Sequence, residues 1–229
     1  MALYTIGDLH LSLGGSKPMD IFGDKWANHV ERLRESFSHL TADDVTVLAG
    51  DLSWGISLEE SLPDFQFIDA LPGRKIILKG NHDYWWGTAT KMKKFFAAHG
   101  IESIDILFNN CFFYGDYALC GTRGWFYEEA RGEAHDRKIM LREVGRLETS
   151  LKAAGDKMKL VFLHYPPKYL GYECPEILDL LDAYHVPLCC YGHIHSRGCR
   201  SAFQGMYHDT EFRLLSADYI SFCPRRILP

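Results

Sequence analysis

Five apolar runs in this chain stop in the same way. "YTIGDLH" (4–10) ends in Asp8 and His10, "VLAGDLS" (47–53) in Asp51, and "ILKGNHD" (77–83) in Asn81, His82 and Asp83. "LVFLHYP" (160–166) ends in His164, and "LCCYGHIH" (188–195) in His193 and His195. All but the fourth pass through glycine first. A single Gly-Asp or Gly-Asn pair after a strand reads as a turn, and a lone histidine there reads as a satisfied surface or core residue. Five endings of one chemical type constrain the fold more. In α/β sheets the carboxyl ends of parallel strands gather along one edge, and ligands bind there. Where such strands are neighbours, Asp8, His10, Asp51, Asn81, His164, His193 and His195 converge.

That set is a metal-ligand inventory of imidazoles, carboxylates and an amide oxygen, with no thiolate. Such donors suit manganese, iron or zinc rather than a structural cysteine-zinc site. Seven ligands exceed one tetrahedral ion and suit two ions about 3.5–4 Å apart, one carboxylate bridging them. Glycine before a ligand permits a sharp turn and close backbone approach. The spacing of Asp8 to His10, and of His193 to His195, places both members on one side of an extended segment.

The rest of the chain supplies a layered frame. Strands are expected at 2–7, 45–50, 75–80, 159–164 and 186–193, and amphipathic helices at 24–40, 57–71, 88–100, 136–154 and 174–185. Ser57 and Glu60 form a capping-box pattern, Pro63 threatens to break its helix, and Pro175 suits a first turn. Short runs at 103–121 and 199–223 suggest antiparallel hairpins. The expectation is a single α/β (α+β) domain over 1–229, a two-sheet β-sandwich flanked by helices.

Composition bounds the function. Of 229 residues, 47% are hydrophobic and 24% charged, as in an ordinary globular protein. A net charge of −5 argues against a stable nucleic-acid complex or membrane-surface binding while allowing a small anionic substrate. No run reaches the ~18 apolar residues of a membrane span, and the N-terminus lacks a basic, then apolar leader, which points to the cytoplasm. The seven cysteines include no C-x-x-C pair and read as reduced structural thiols. The basic "KMKK" (91–94) reads as a solvated helix face. Oligomeric state is not legible.

"GDLH" (7–10), "GD" (50–51), "GNHD" (80–83), His164 after a strand and "GHIH" (192–195) resemble the five ordered motifs of the calcineurin-like metallophosphoesterases. The resemblance spans most of the chain. It implies a four-layer β-sandwich and hydrolysis of phosphomonoesters or phosphodiesters by in-line attack of a metal-held hydroxide. It implies that Asp8, His10 and His195 hold one metal, that Asn81, His164 and His193 hold the other, and that Asp51 bridges them. His82 then resembles the family's non-ligand histidine, which stabilises the transition state or protonates the leaving oxygen. Asp83 either orients this neighbourhood or caps a turn. Phosphoprotein phosphatases of the family extend the second motif to G-D-x-x-D-R-G. Here "GDLSWGI" puts Trp54 and Gly55 at the Asp and Arg positions, which favours phosphohydrolases and phosphodiesterases of the small bacterial type.

Loops after the motifs carry Tyr84, Trp85, Trp86, Trp125, Phe126, Tyr127, Lys168, Tyr169 and Tyr172, an aromatic rim that either stacks on substrate or packs under the loops. Arg123, between two glycines, either grips substrate phosphate or makes a salt bridge. An alternative class, a non-catalytic metal-binding scaffold of the same fold, is expected to have lost ligands, and none is missing. Metallo-β-lactamase chemistry needs an H-x-H-x-D-H that "HIHSRG" lacks, and amidohydrolases place their H-x-H near the first strand.

Overall fold

The computed structural model describes residues 1–15, 17–126 and 133–229. The chain forms two compact units, Met1–Ile106 with Leu215–Pro229, and Leu107–Leu214. Each carries one large sheet flanked by helices.

In the first unit, β1 (Leu3–Ile6), β2 (Val45–Leu48), β3 (Arg74–Ile77) and β4 (Ile104–Ile106) run parallel, and β13 (Arg225–Leu228) closes the edge antiparallel to β1. β2 is buried at every residue, as expected of a parallel strand covered on both faces. The expected hairpin at 103–106 is therefore corrected. Ile104–Ile106 pairs parallel to β3, because the crossover helix α3 (Ala89–Ala98) lies between them. Helix α1 (His29–Phe37) is also shorter than expected. Asn28 adopts a left-handed conformation (φ 53°), which splits 24–40 into a 3₁₀ turn at Asp24–Trp26 and this helix. Helix α2 (Leu62–Ala70) carries Pro63 in its first turn, where the missing N–H costs nothing. The Ser57 hydroxyl accepts from Glu60 N, and the Glu60 carboxylate from Ile56 N, one turn before the helix begins. Phe65 of α2 packs edge-on against Phe96 of α3 at 5.0 Å.

In the second unit the sheet runs, from edge to edge, β11 (Gly205–Tyr207), β12 (Thr210–Leu214), β10 (Leu188–Tyr191), β7 (Met158–Leu163), β6 (Tyr117–Thr122) and β5 (Phe112–Tyr114). The four central strands are parallel, and each edge strand closes a hairpin. A small hairpin, β8 (Lys168–Tyr169) with β9 (Tyr172–Glu173), stands apart from it. Helices α4 (Glu133–Ala153) and α5 (Pro175–Ala183) pack Leu147, Leu151, Ile177 and Leu181 into a core with Val161, Leu163, Cys189 and Phe212. None of the seven cysteines forms a disulfide among the described residues. Burial pushes the Cys120 and Cys190 thiols up to about 12, so they behave as small hydrophobes. Among the described residues no helix is long and apolar enough to cross a membrane.

Candidate functional site

In the first unit Asp8, Asp51 and Asn81 follow the carboxyl ends of β1, β2 and β3, which are adjacent and parallel. Past the strands the first two segments stay together. Asp8 N donates to Gly50 O, His10 N to Asp51 O, and Leu11 N to Leu52 O, each at 2.9 Å. Both turn through the left-handed region, with φ of 60° at Asp8, 47° at His10, 85° at Gly50 and 52° at Asp51. The sequence expectation of an extended Asp8–His10 segment is corrected here. The two residues do approach, but through left-handed turns that re-aim their side chains. Non-glycine residues there cost of order 1–3 kcal/mol each and concentrate at functional sites.

The turn at Asp51 is fixed by Asp83. The Asp83 carboxylate accepts from Gly80 N (2.7 Å), Asp51 N (2.9 Å), Leu52 N (2.8 Å), Ser53 N (3.4 Å) and Trp85 Nε1 (3.2 Å). Asp83 is thus a cap, and by capping it orients the Asp51 turn. Asp51 Oδ1 in turn accepts from His82 N at 2.8 Å. A Cβ at Gly80 would lie 2.0 Å from that same oxygen, so glycine is needed there for close approach.

Asp64 was not anticipated from the sequence. Wholly buried on α2, it accepts from Leu13 N and the Ser53 hydroxyl, tying together the segments that follow His10 and Asp51. Burial raises its carboxyl above the usual range, against those two bonds. The one signal for it was an acid inside the apolar "LPDFQFI".

Trp54 stacks on His10 (4.9 Å between ring centres, 20°) and leans on His82 (4.4 Å). It therefore walls both histidines, and Lys17 Nζ lies over its ring. His82 Nδ1 meets the Tyr84 hydroxyl at 3.3 Å. Trp85 is buried against Phe65 rather than on a rim.

The donors of this unit suit a divalent cation. Oxygens of the buried Asp8 and Asp51 lie within 4.8 Å of each other, and His10 Nε2 is 3.8 Å from Asp51 Oδ2. Two buried carboxylates so close favour a cation between them.

In the second unit His164 and His193 follow β7 and β10, again adjacent and parallel. Gly192 N donates to His164 O at 3.1 Å, and the two imidazoles lie 5.1 Å apart edge to face. His193 is left-handed (φ 71°), and His195 follows in extended conformation ahead of a 3₁₀ turn at Ser196–Ser201. Tyr165, itself buried, packs its ring 4.4 Å from His193.

Arg123 stands over the Trp125 ring at 5.0 Å and reaches the buried Glu143 of α4 at 3.5 Å. Burial lowers its guanidinium pKa while Glu143 opposes that. Its Nε, buried, has no hydrogen-bond partner among the described residues. Trp125 is buried. Lys168 pairs with Glu173 and lies over the Tyr207 ring at 4.7 Å. Tyr127 lies outside the described residues. Lys91, Lys93 and Lys94 face outward while Met92 is buried, as a solvated helix face requires.

Two solved structures share this fold. A protein of unknown function from Aquifex aeolicus, AQ665, is 15% identical with a TM-score of 0.55, covering 98% of this chain and 95% of its own. TT1561 of Thermus thermophilus is 13% identical with a TM-score of 0.60, covering 99% of this chain and 97% of its own. No curated protein matches the sequence. The family model for calcineurin-like phosphoesterases matches residues 1–197, and so takes in every strand end described above. This chain belongs to the calcineurin-like phosphoesterase family.

Proposed function

We propose that the chain is a phosphohydrolase dependent on two divalent ions (manganese, iron or zinc), cleaving phosphomonoesters or phosphodiesters of small molecules. The observation that carries this reading is the full set of motif donors following the ends of parallel strands, with Asp8, His10, Asp51 and His193 all held in left-handed backbone. A scaffold has no need to keep such strained donors.

In this reading Asp8, His10 and His195 hold one ion, Asn81, His164 and His193 the other, and Asp51 both. When bound, the ions bring positive charge to the phosphoryl oxygens. The chain's own residues do the rest. Asp83 holds the Asp51 turn through its backbone, and His82 N orients the Asp51 carboxylate. His82, with the Tyr84 hydroxyl beside its Nδ1, passes a proton to the leaving oxygen. Trp54 keeps water from one side of His10 and His82. The Arg123 carbonyl accepts from His164 N and Tyr165 N and so steadies the turn after β7, and its guanidinium is the cation that meets a phosphate oxygen.

The test is hydrolysis of an aryl phosphate and a bis-aryl phosphate with added manganese. Activity is expected on at least one, falling about a hundredfold or more in His82→Ala, the scale of losing a general acid, and at least as far in Asp51→Asn. Metal-loaded protein that cleaves neither ester, nor any member of a nucleotide panel, contradicts the reading and favours a scaffold.

A further inference from the structure

The second unit holds a cavity of about 190 Å³ beside His193 and His195. Its other walls are Phe126, Pro166 and Tyr169, with Gly198 below. We propose that this cavity is a substrate subsite for one flat, uncharged ring, such as a nucleobase or aryl group, set against Phe126 and Tyr169.

Three features carry the assignment. The first is chemistry: beside His193 and His195, the lining among the described residues has two aromatic rings, a proline ring and Ile194, and no carboxylate, lysine or arginine. A flat π-system finds faces to pack on there. The second is size. The volume falls below the ~300–1,000 Å³ of a pocket for a whole drug-sized ligand, and so suits one ring system rather than an entire nucleotide.

The third is rigidity. Phe126 is held edge-on by Tyr172 at 4.6 Å and lies tilted against Tyr169 at 6.0 Å. Tyr169 and Tyr172 face each other across the β8–β9 hairpin, and Tyr169 also bridges to Ala202. A Cβ at Gly198 would come within 2.9 Å of the Tyr169 hydroxyl and 3.0 Å of Ile194 Cγ2, so only glycine leaves this floor clear. Rings fixed before binding lose little freedom on contact, which favours recognition.

The inference rests on the phosphoesterase reading only for the reacting end of the ligand. It is tested by binding, which needs no turnover. Calorimetric titration of the manganese-loaded chain compares adenosine 5′-monophosphate with ribose 5-phosphate, which differ by the ring alone. About a tenfold preference for the nucleotide is expected, the scale of one base stacked on an aromatic side chain. Phe126→Leu and Tyr169→Leu should each shrink that preference, and Phe126→Tyr should retain it. Equal wild-type affinities overturn the proposal without recourse to any variant. So does a preference that survives in both leucine variants. Loss of esterase activity alone would strike the proposed function and leave this preference standing.

Discussion

The aspartate turns of the first unit and the histidine turns of the second leave parallel strands at the same kind of position and are held by different forces. Around Asp51 the scaffold is polar: one buried carboxylate, Asp83, collects five N–H donors, and Asp64 ties the next residues on. Around His193 the scaffold is aromatic: Tyr165, His164 and Phe126 pack against the imidazole at 4.4, 5.1 and 6.5 Å. The difference follows from what each turn holds. Two carboxylates pressed together repel, and only directed hydrogen bonds fix them at a chosen separation. Imidazoles are flat rings, which ring packing fixes.

The contrast is most exposed at Asp83. Asp83→Ala strips a buried acceptor from five donors and should cost about 4 kcal/mol. Hydrogen exchange should show protection lost at 50–54 first, with β7 and β10 holding. Equal loss in both units would break the comparison. Gly80→Ala should cost about 3 kcal/mol by overpacking against Asp51. Urea denaturation measures it, and a neutral result would mean the Asp51 turn yields more readily than its bonding implies. Tyr165→Leu, the aromatic counterpart, should cost about 2 kcal/mol and loosen His193 while leaving 50–54 protected.

The smallest effect concerns acid. The Asp44 carboxyl is held below its ordinary 3.8 by the Thr41 N–H, with burial opposing and the Ala2 N–H assisting. A depressed carboxyl stabilises the fold fully above its unfolded value, and that stability is lost as pH falls from 3.8 through the lower folded value. Exchange of β1 and β2 amides should therefore quicken below about pH 4 in the wild type. In Asp44→Asn the same amides should be less protected at neutral pH and respond less to acid.

Much of this was legible in the sequence, for identifiable reasons. Parallel strands buried on both faces read as apolar runs, so β1, β2, β3, β7 and β10 were evident, and with them every donor. Less evident was anything decided by a partner distant in sequence. β13 is a short run of charged and apolar residues whose strand character comes from pairing with β1. β4 looked like a hairpin arm because three residues do not reveal their partner. Asn28 broke a regular helical pattern by one backbone choice. The left-handed aspartates and histidines were hidden because spacing alone favours an extended reading. Asp64 was hidden because an acid among phenylalanines has meaning only once Ser53 and Leu13 stand beside it.

The central claim is that the aspartate and histidine turns of this chain hold two metal ions through Asp51. Elemental analysis after manganese loading and desalting tests it most directly. The account predicts about two ions per chain in the wild type and fewer than one in Asp51→Asn of unchanged thermal stability. A wild type that retains no metal, or an Asp51→Asn variant that retains both ions, would contradict it.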